Sequence, residues 1–138
     1  MATTATISLS SNITGDSLSI NETATLTKSG SNVTNLDQFT GVNTIYYATA
    51  QTETNIIAAA DYVDTKVSHK VYIRNASTSA TCTVEVDIDS TANEPLGTLY
   101  YNDWTFFPWM GTLDIDISTN EVGVTVEFAV ISQSVAST

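Results

Sequence analysis

Apolar residues in this chain recur at every second position, and hardly ever at helical spacing. No window of about 11 to 18 residues places them at i, i+3, i+4 and i+7 among good helix formers. The apolar stretches are built from Thr, Val, Ile, Tyr and Phe, which suit a pleated surface. Thr6 to Ser11 sets Ile7 and Leu9 on one face. Ser17 to Thr27 does the same with Leu18, Ile20, Ala24 and Leu26, but Glu22 breaks that face, which predicts a bulge or turn near Asn21. Asn43 to Ala48 and Thr54 to Ala59 read as short strands. Lys70 to Asn75 turns Val71 and Ile73 one way and Tyr72 and Arg74 the other, and Asn75-Ala-Ser-Thr-Ser follows as a turn. Thr81 to Asp89 has the clearest alternation: Cys82, Val84, Val86 and Ile88 against Thr83, Glu85, Asp87 and Asp89. Leu96 to Tyr101 and Trp104 to Trp109 flank a turn at Asn102-Asp103. Leu113 to Ile117 puts Leu113, Ile115 and Ile117 inside, with Asp114 and Asp116 outside. The last strand, Val122 to Ile131, points Val122, Val124, Val126, Phe128 and Val130 inward. Ala60 to Val67 is the one stretch where a helical turn fits.

About nine strands at 8–12-residue spacing with short turns predict an all-β fold, an antiparallel β-sandwich of jelly-roll or Ig-like type. At 138 residues, one domain is expected. Residues 1–41 differ from the remainder: Phe39 is their only aromatic, and Thr, Ser and Asn dominate. They read as a polar strand or extended arm ahead of a sandwich core at 42–138.

Charge narrows the range of partners. Four Lys and Arg face fifteen Asp and Glu, a net charge of -11, although only 14% of residues are charged. Nucleic acid is excluded as an expected partner, because binding phosphates needs a Lys/Arg footprint. An anionic membrane surface is disfavoured for the same reason. The longest apolar run, Ile56 to Ala60, is far short of the ~18 residues of a spanning helix. The opening MATTATISLS lacks the basic and apolar regions of a secretory signal. With so few charges, the polar surface must come from the 39 Ser and Thr. Sequons at Asn12, Asn21, Asn32 and Asn75 carry little weight in so Ser/Thr-rich a chain.

Candidate chemistry is sparse. His69 is the only histidine; a Ser-His-Asp triad would have to use it, and no Gly-x-Ser-x-Gly turn accompanies it, so it reads as a surface or loop residue. Cys82 is the only cysteine, which excludes an intrachain disulfide, and it falls on an apolar strand face as a core residue. Glu85, Asp87 and Asp89 line one strand face and Asp114 and Asp116 another. Spread along extended strands about 7 Å apart at i, i+2, they read as a solvated outer face; a calcium site would need its oxygens folded around one point. No cofactor, metal or catalytic residue is expected. The aromatic cluster is more informative. Tyr100, Tyr101, Trp104, Phe106, Phe107 and Trp109 fall within ten positions. Alternation gives the 104–109 strand large apolar groups on both faces, so one face is core and the other needs a loop, a subunit or a ligand over it. The candidate contact residues are Tyr100, Tyr101, Trp104, Phe107 and Trp109, with the bases Lys66, Lys70 and Arg74.

The stretches VYIRNASTSATCTVEVDID, PLGTLYYNDWTFFPW, LDIDIST and GVTVEFAVIS together resemble small all-β virion proteins of tailed bacteriophages, especially those of marine and cyanobacterial phages. The opening, with its SLS, TLTK-G and LDQ-TG elements, is similar to openings of such proteins. The resemblance implies a capsid decoration (cement) protein on the capsid exterior. Such a protein binds the outer surface of the major capsid protein lattice, often as a homotrimer, and reinforces the shell without catalysis. The alternative within the same family is a tail- or fibre-associated adhesin that binds host carbohydrate, with the aromatic cluster as a platform for sugar rings.

Overall fold

A computed structural model describes residues 4–11, 18–25, 27–28, 34–35, 38–62, 69–88 and 95–132. Its first strands are β1 (Thr4–Ser11), β2 (Leu18–Thr25), β3 (Thr27–Lys28), β4 (Thr34–Asn35) and β5 (Gln38–Phe39). Then come β6 (Asn43–Tyr47), β7 (Thr54–Ile57), a 3-10 turn at Ala59–Asp61 and β8 (His69–Asn75). The chain continues through β9 (Val84–Ile88), β10 (Pro95–Leu99), β11 (Trp104–Trp109), β12 (Ile115–Thr119) and β13 (Val124–Ser132). Every pairing is antiparallel. Among the described residues no helix is long and apolar enough to cross a membrane.

The last eight strands pair as nested partners: β6 with β13, β7 with β12, β8 with β11 and β9 with β10. This is a long antiparallel ribbon doubled back at the β9–β10 connection. The ribbon is then wrapped, so that β13 also pairs with β8 and β12 with β9. Two sheets result, β6-β13-β8-β11 and β7-β12-β9-β10, and β5 extends the first beside the end of β13. Of the two predicted sandwich types, this strand order is the jelly roll. The sandwich begins earlier than residue 42. Phe39 pairs with Ile131, and the Thr40 amide donates to the Val130 carbonyl at 3.1 Å. Edge strand β10 carries a proline and an irregular register between Pro95 and Gly97, features that discourage further strand pairing.

The core is the inner face of each strand, as the alternation predicts. Val71 and Ile73 of β8 meet Val124, Val126 and Val130 of β13 from the same sheet; Val84, Val86, Ile115, Ile117 and Ile57 come from the other. Cys82 is buried among them. Two predicted core residues are exposed instead, because Leu113 and Val122 precede their strands and lie in the connections. The bulge expected near Asn21 is absent: β1 and β2 pair without interruption from Thr4↔Thr25 to Ser11↔Leu18. The helical turn falls at Ala59–Asp61, at the near edge of the predicted stretch, whose positions 63–67 lie outside the described residues, as do Leu26 and Asp89.

Six of the seven connections from β6 to β13 pass from one sheet to the other. Such crossings leave backbone groups that no ladder satisfies, and among the described residues short polar side chains supply partners for several of them. The Gln51 amide donates to Thr119 Oγ1 at 2.8 Å, Glu53 N to Ser118 Oγ at 2.9 Å, Thr83 N to Asn120 Oδ1 at 2.7 Å and Thr125 N to Ser77 Oγ at 3.1 Å. Asn75 is the deepest of them. It is fully buried, and its Nδ2 donates to the Cys82 carbonyl (2.9 Å) and the Leu99 carbonyl (3.1 Å), while its Oδ1 accepts from Ser77 N (3.2 Å). The Asn75 sequon is therefore inaccessible in the folded protein. Replacing Asn75 with Ala strands two carbonyls and one amide in the interior. The expected cost is about 2–4 kcal/mol, to be read as a lower denaturation midpoint with an unchanged m-value.

Candidate interaction surface

Strand β11 sends Thr105, Phe107 and Trp109 inward and Trp104, Phe106 and Pro108 outward. Register then assembles the outer face of the sheet. Trp104 lies opposite Arg74 and Phe106 opposite Tyr72 on β8, while Tyr72 and Arg74 lie opposite Ala129 and Glu127 on β13. Ala129, opposite Tyr72, is buried although it points away from the core. Trp104 stays 51% exposed and Phe106 38%. Arg74 pairs with Glu127 at 3.5 Å, and its Nη2 donates to Asn102 Oδ1 at 3.3 Å. Burial raises the Tyr72 phenol above its ordinary pKa; the Glu127 carboxylate adds to the rise and Arg74 opposes it.

The hairpin β1–β2 belongs to neither main sheet. Cross-strand pairing places Ala5, Ile7 and Leu9 on one face with Ala24, Glu22 and Ile20. The opposite face is hydroxylic, as the 2.8 Å hydrogen bond between Thr6 and Thr23 shows. Ala5, Ile7, Glu22 and Ala24 line a groove of about 490 Å³ together with Tyr72, Trp104 and Phe106 of the sheet. The second face of the aromatic strand is thus partly covered by this chain's own N-terminal hairpin. Ile7, Leu9 and Ile20 nevertheless remain exposed.

The sequence-predicted contact residues divide. Trp104, Arg74 and Lys70 share the outer face of one sheet, the two bases two strand repeats apart on β8. Tyr100 and Tyr101 are exposed in the turn leading into β11. That turn is closed by Asp103: its amide donates to the Tyr100 carbonyl at 3.0 Å, and its Oδ2 accepts from the Tyr100 amide at 3.0 Å. Asn102 takes a left-handed φ of 64° there. Phe107 and Trp109 both face inward: Phe107 is half-buried against the core, while Trp109, 4% exposed with its Nε1 donating to the Leu113 carbonyl at 2.9 Å, offers nothing to a partner. Lys66 lies outside the described residues. Tyr72, Phe106 and the hairpin residues Ile7 and Glu22 were not among the predicted contacts. Alternation already placed Phe106 beside Trp104 and Tyr72 beside Arg74, whereas nothing local signals that the hairpin folds over them.

Two further expectations change. His69 is buried, not a surface residue: it stacks edge-on with Tyr62 (ring centroids 5.2 Å apart) and lies 5.6 Å from the Trp109 ring. Burial raises the Tyr62 phenol above its ordinary pKa, and Asp61 adds to the effect. The acidic strand faces are not uniformly solvated. Asp87 and Asp116 are direct cross-strand partners, 2% and 1% exposed. Asp114 is occupied otherwise, its Oδ1 accepting the Ala59 amide at 2.7 Å. Among the described residues no three His, Cys, Asp or Glu side chains gather as a metal-ligand set. The chain matches no family model, no curated protein and no solved structure.

Gly111 fixes the His69 cluster. It sits at φ +75°, and a Cβ there would stand 3.0 Å from both Cδ2 and Nε2 of His69. Gly111→Ala combines left-handed strain with that contact. It is expected to cost about 1–2 kcal/mol or more, measured as a fall of several degrees in Tm with the near-ultraviolet signal of the Trp109 environment altered.

Proposed function

We propose that this chain is a structural protein of a bacteriophage particle, a decoration protein seated on the outer surface of the major capsid protein lattice. The observation that carries this reading is the apolar strip shared by the hairpin and the outer sheet face. Ile7, Leu9, Ile20, Trp104 and Phe106 all keep more than a third of their surface in water. Contiguous apolar surface of this kind marks a contact with another macromolecule, and covering it is worth about 25 cal/mol per Å². The hairpin adds a second means of attachment. Among the described strands β1 and β2 pair only with each other, so their outer backbone edges are open to strand addition from a neighbour. The charge distribution supports an orientation. Lys70 and Arg74 lie on the aromatic face, whereas no base follows Asn75 in the sequence and nine acids do. The aromatic face meets the shell or a second copy of the chain, in a homo-oligomer for which a trimer is the favoured count, and the acids that are neither buried nor on that face look to solvent. The resemblance of the sequence to phage virion proteins supports the same role.

Particles depleted of the protein test it. Purified chain should cosediment with them, restore their resistance to heating, and reach a copy number that scales with the capsid lattice rather than with the tail. Trp104→Ala should weaken that association by about tenfold or more, the effect expected of an exposed aromatic anchor, without lowering the protein's own Tm. Failure to cosediment, or a copy number matching the tail, removes the reading.

A further inference from the structure

Glu22 stands out on the hairpin. The uninterrupted register keeps it on the apolar face, directly opposite Ile7, with Ile20 and Ala24 to either side. That face looks onto Tyr72, Trp104 and Phe106 across the groove. Among the described residues Glu22 is the only charged one lining the groove, and no described base pairs with it. Arg74, a base on the same sheet face, is held by Glu127 and Asn102. A carboxylate on an apolar face loses hydration as that face is covered, and a cation bound beside it offsets that loss. Three aromatic rings beside it supply the complementary half of such a site, because the face of an aromatic ring attracts a cation, Trp most strongly. A small inorganic ion suits the groove poorly, since one carboxylate, with Thr6 and Tyr72 as the other lining residues whose side chains carry oxygen, supplies too few oxygens for calcium or magnesium. An organic cation suits it well: its apolar body contacts Ile7 and the rings, and its charge is shared between the rings and Glu22. The volume of about 490 Å³ lies in the range of small-ligand pockets. The net charge of -11 concentrates cations around the whole molecule.

We propose that the groove between the β1–β2 hairpin and the outer face of β8 and β11 is a binding site for a small organic ammonium, with Glu22 as counter-ion and Trp104, Tyr72 and Phe106 as its aromatic walls. This stands independently of where the protein sits on a particle, because it rests on the lining of one groove within one chain. Binding holds the hairpin against the sheet, since the ligand contacts both.

Benzyltrimethylammonium, titrated into the full chain by calorimetry and by tryptophan fluorescence, tests the site, with benzyl alcohol as the probe that keeps the ring and lacks the charge. The expected result is saturable binding of the ammonium, weakened by added salt and by about tenfold in Glu22→Gln, the scale of a cation held by rings and one carboxylate. Benzyl alcohol should bind more weakly and be indifferent to Glu22→Gln. Glu22 is exposed, so that variant should keep the wild-type Tm. Trp104→Phe should retain ammonium binding while losing the fluorescence response, which separates the groove from the buried Trp109. Absence of saturable binding overturns the proposal. So does equal affinity of wild type and Glu22→Gln for the ammonium, or equal binding of the charged and uncharged probes.

Discussion

A chain that changes sheets at nearly every connection has to satisfy its backbone at each crossing, and the jelly roll of this protein depends on how it does so. Asn75 bears the largest share. Its buried amide joins the end of β8 to the approach to β9 and the end of β10, segments that belong to opposite layers. Thr119, Ser118, Asn120 and Ser77 do similar work, each accepting a backbone N–H from a residue distant in sequence. The composition follows from this. Short hydroxyl and amide side chains reach a neighbouring amide with little rotamer entropy to lose, so a chain with 14% charged residues and 39 Ser and Thr holds many crossings in register.

The aromatic strand joins this framework to function. β11 is an edge strand with apolar side chains on both faces. Its inner residues, Phe107 and Trp109, pack into the core, and Trp109 closes the cluster with Tyr62 and His69. Its outer residues, Trp104 and Phe106, would lie open were it not for the N-terminal hairpin, which covers them only in part. The remaining exposure is what an assembly partner would bury. The groove between hairpin and sheet is what a small cation would fill. Both readings use one face because there Trp104 and Phe106 of the sandwich and Ile7 of the hairpin, all exposed, line or flank one groove.

Strand positions, the inward face of each strand and the two-layer class were legible in the sequence, because alternation with a period of two follows directly from the pleat. Val84 and Val86, Val71 and Ile73, and Ile115 and Ile117 could be assigned to the core from that alone. Alternation also separated Trp104 and Phe106 from Phe107 and Trp109, although both Phe107 and Trp109 still entered the predicted contact set. A period states which side of a strand a residue occupies, and says nothing of what lies above that side.

That gap accounts for what only the tertiary structure decided. Asp87 and Asp116 point away from the core, as their positions require, yet they are buried and directly opposed. His69 opens its strand in the sequence and is enclosed by rings from residues seven positions before and forty after it. Glu22 looks like a fault in a strand until the hairpin register leaves it facing Tyr72, Trp104 and Phe106. The choice of jelly roll over Ig-like order belongs here too, since it is made by pairings such as β6 with β13, whose residues lie about eighty positions apart. The sequence determined what each strand is and which way it faces, through contacts a residue or two apart. The fold determined what each face meets, because those contacts exist only after the ribbon has wrapped.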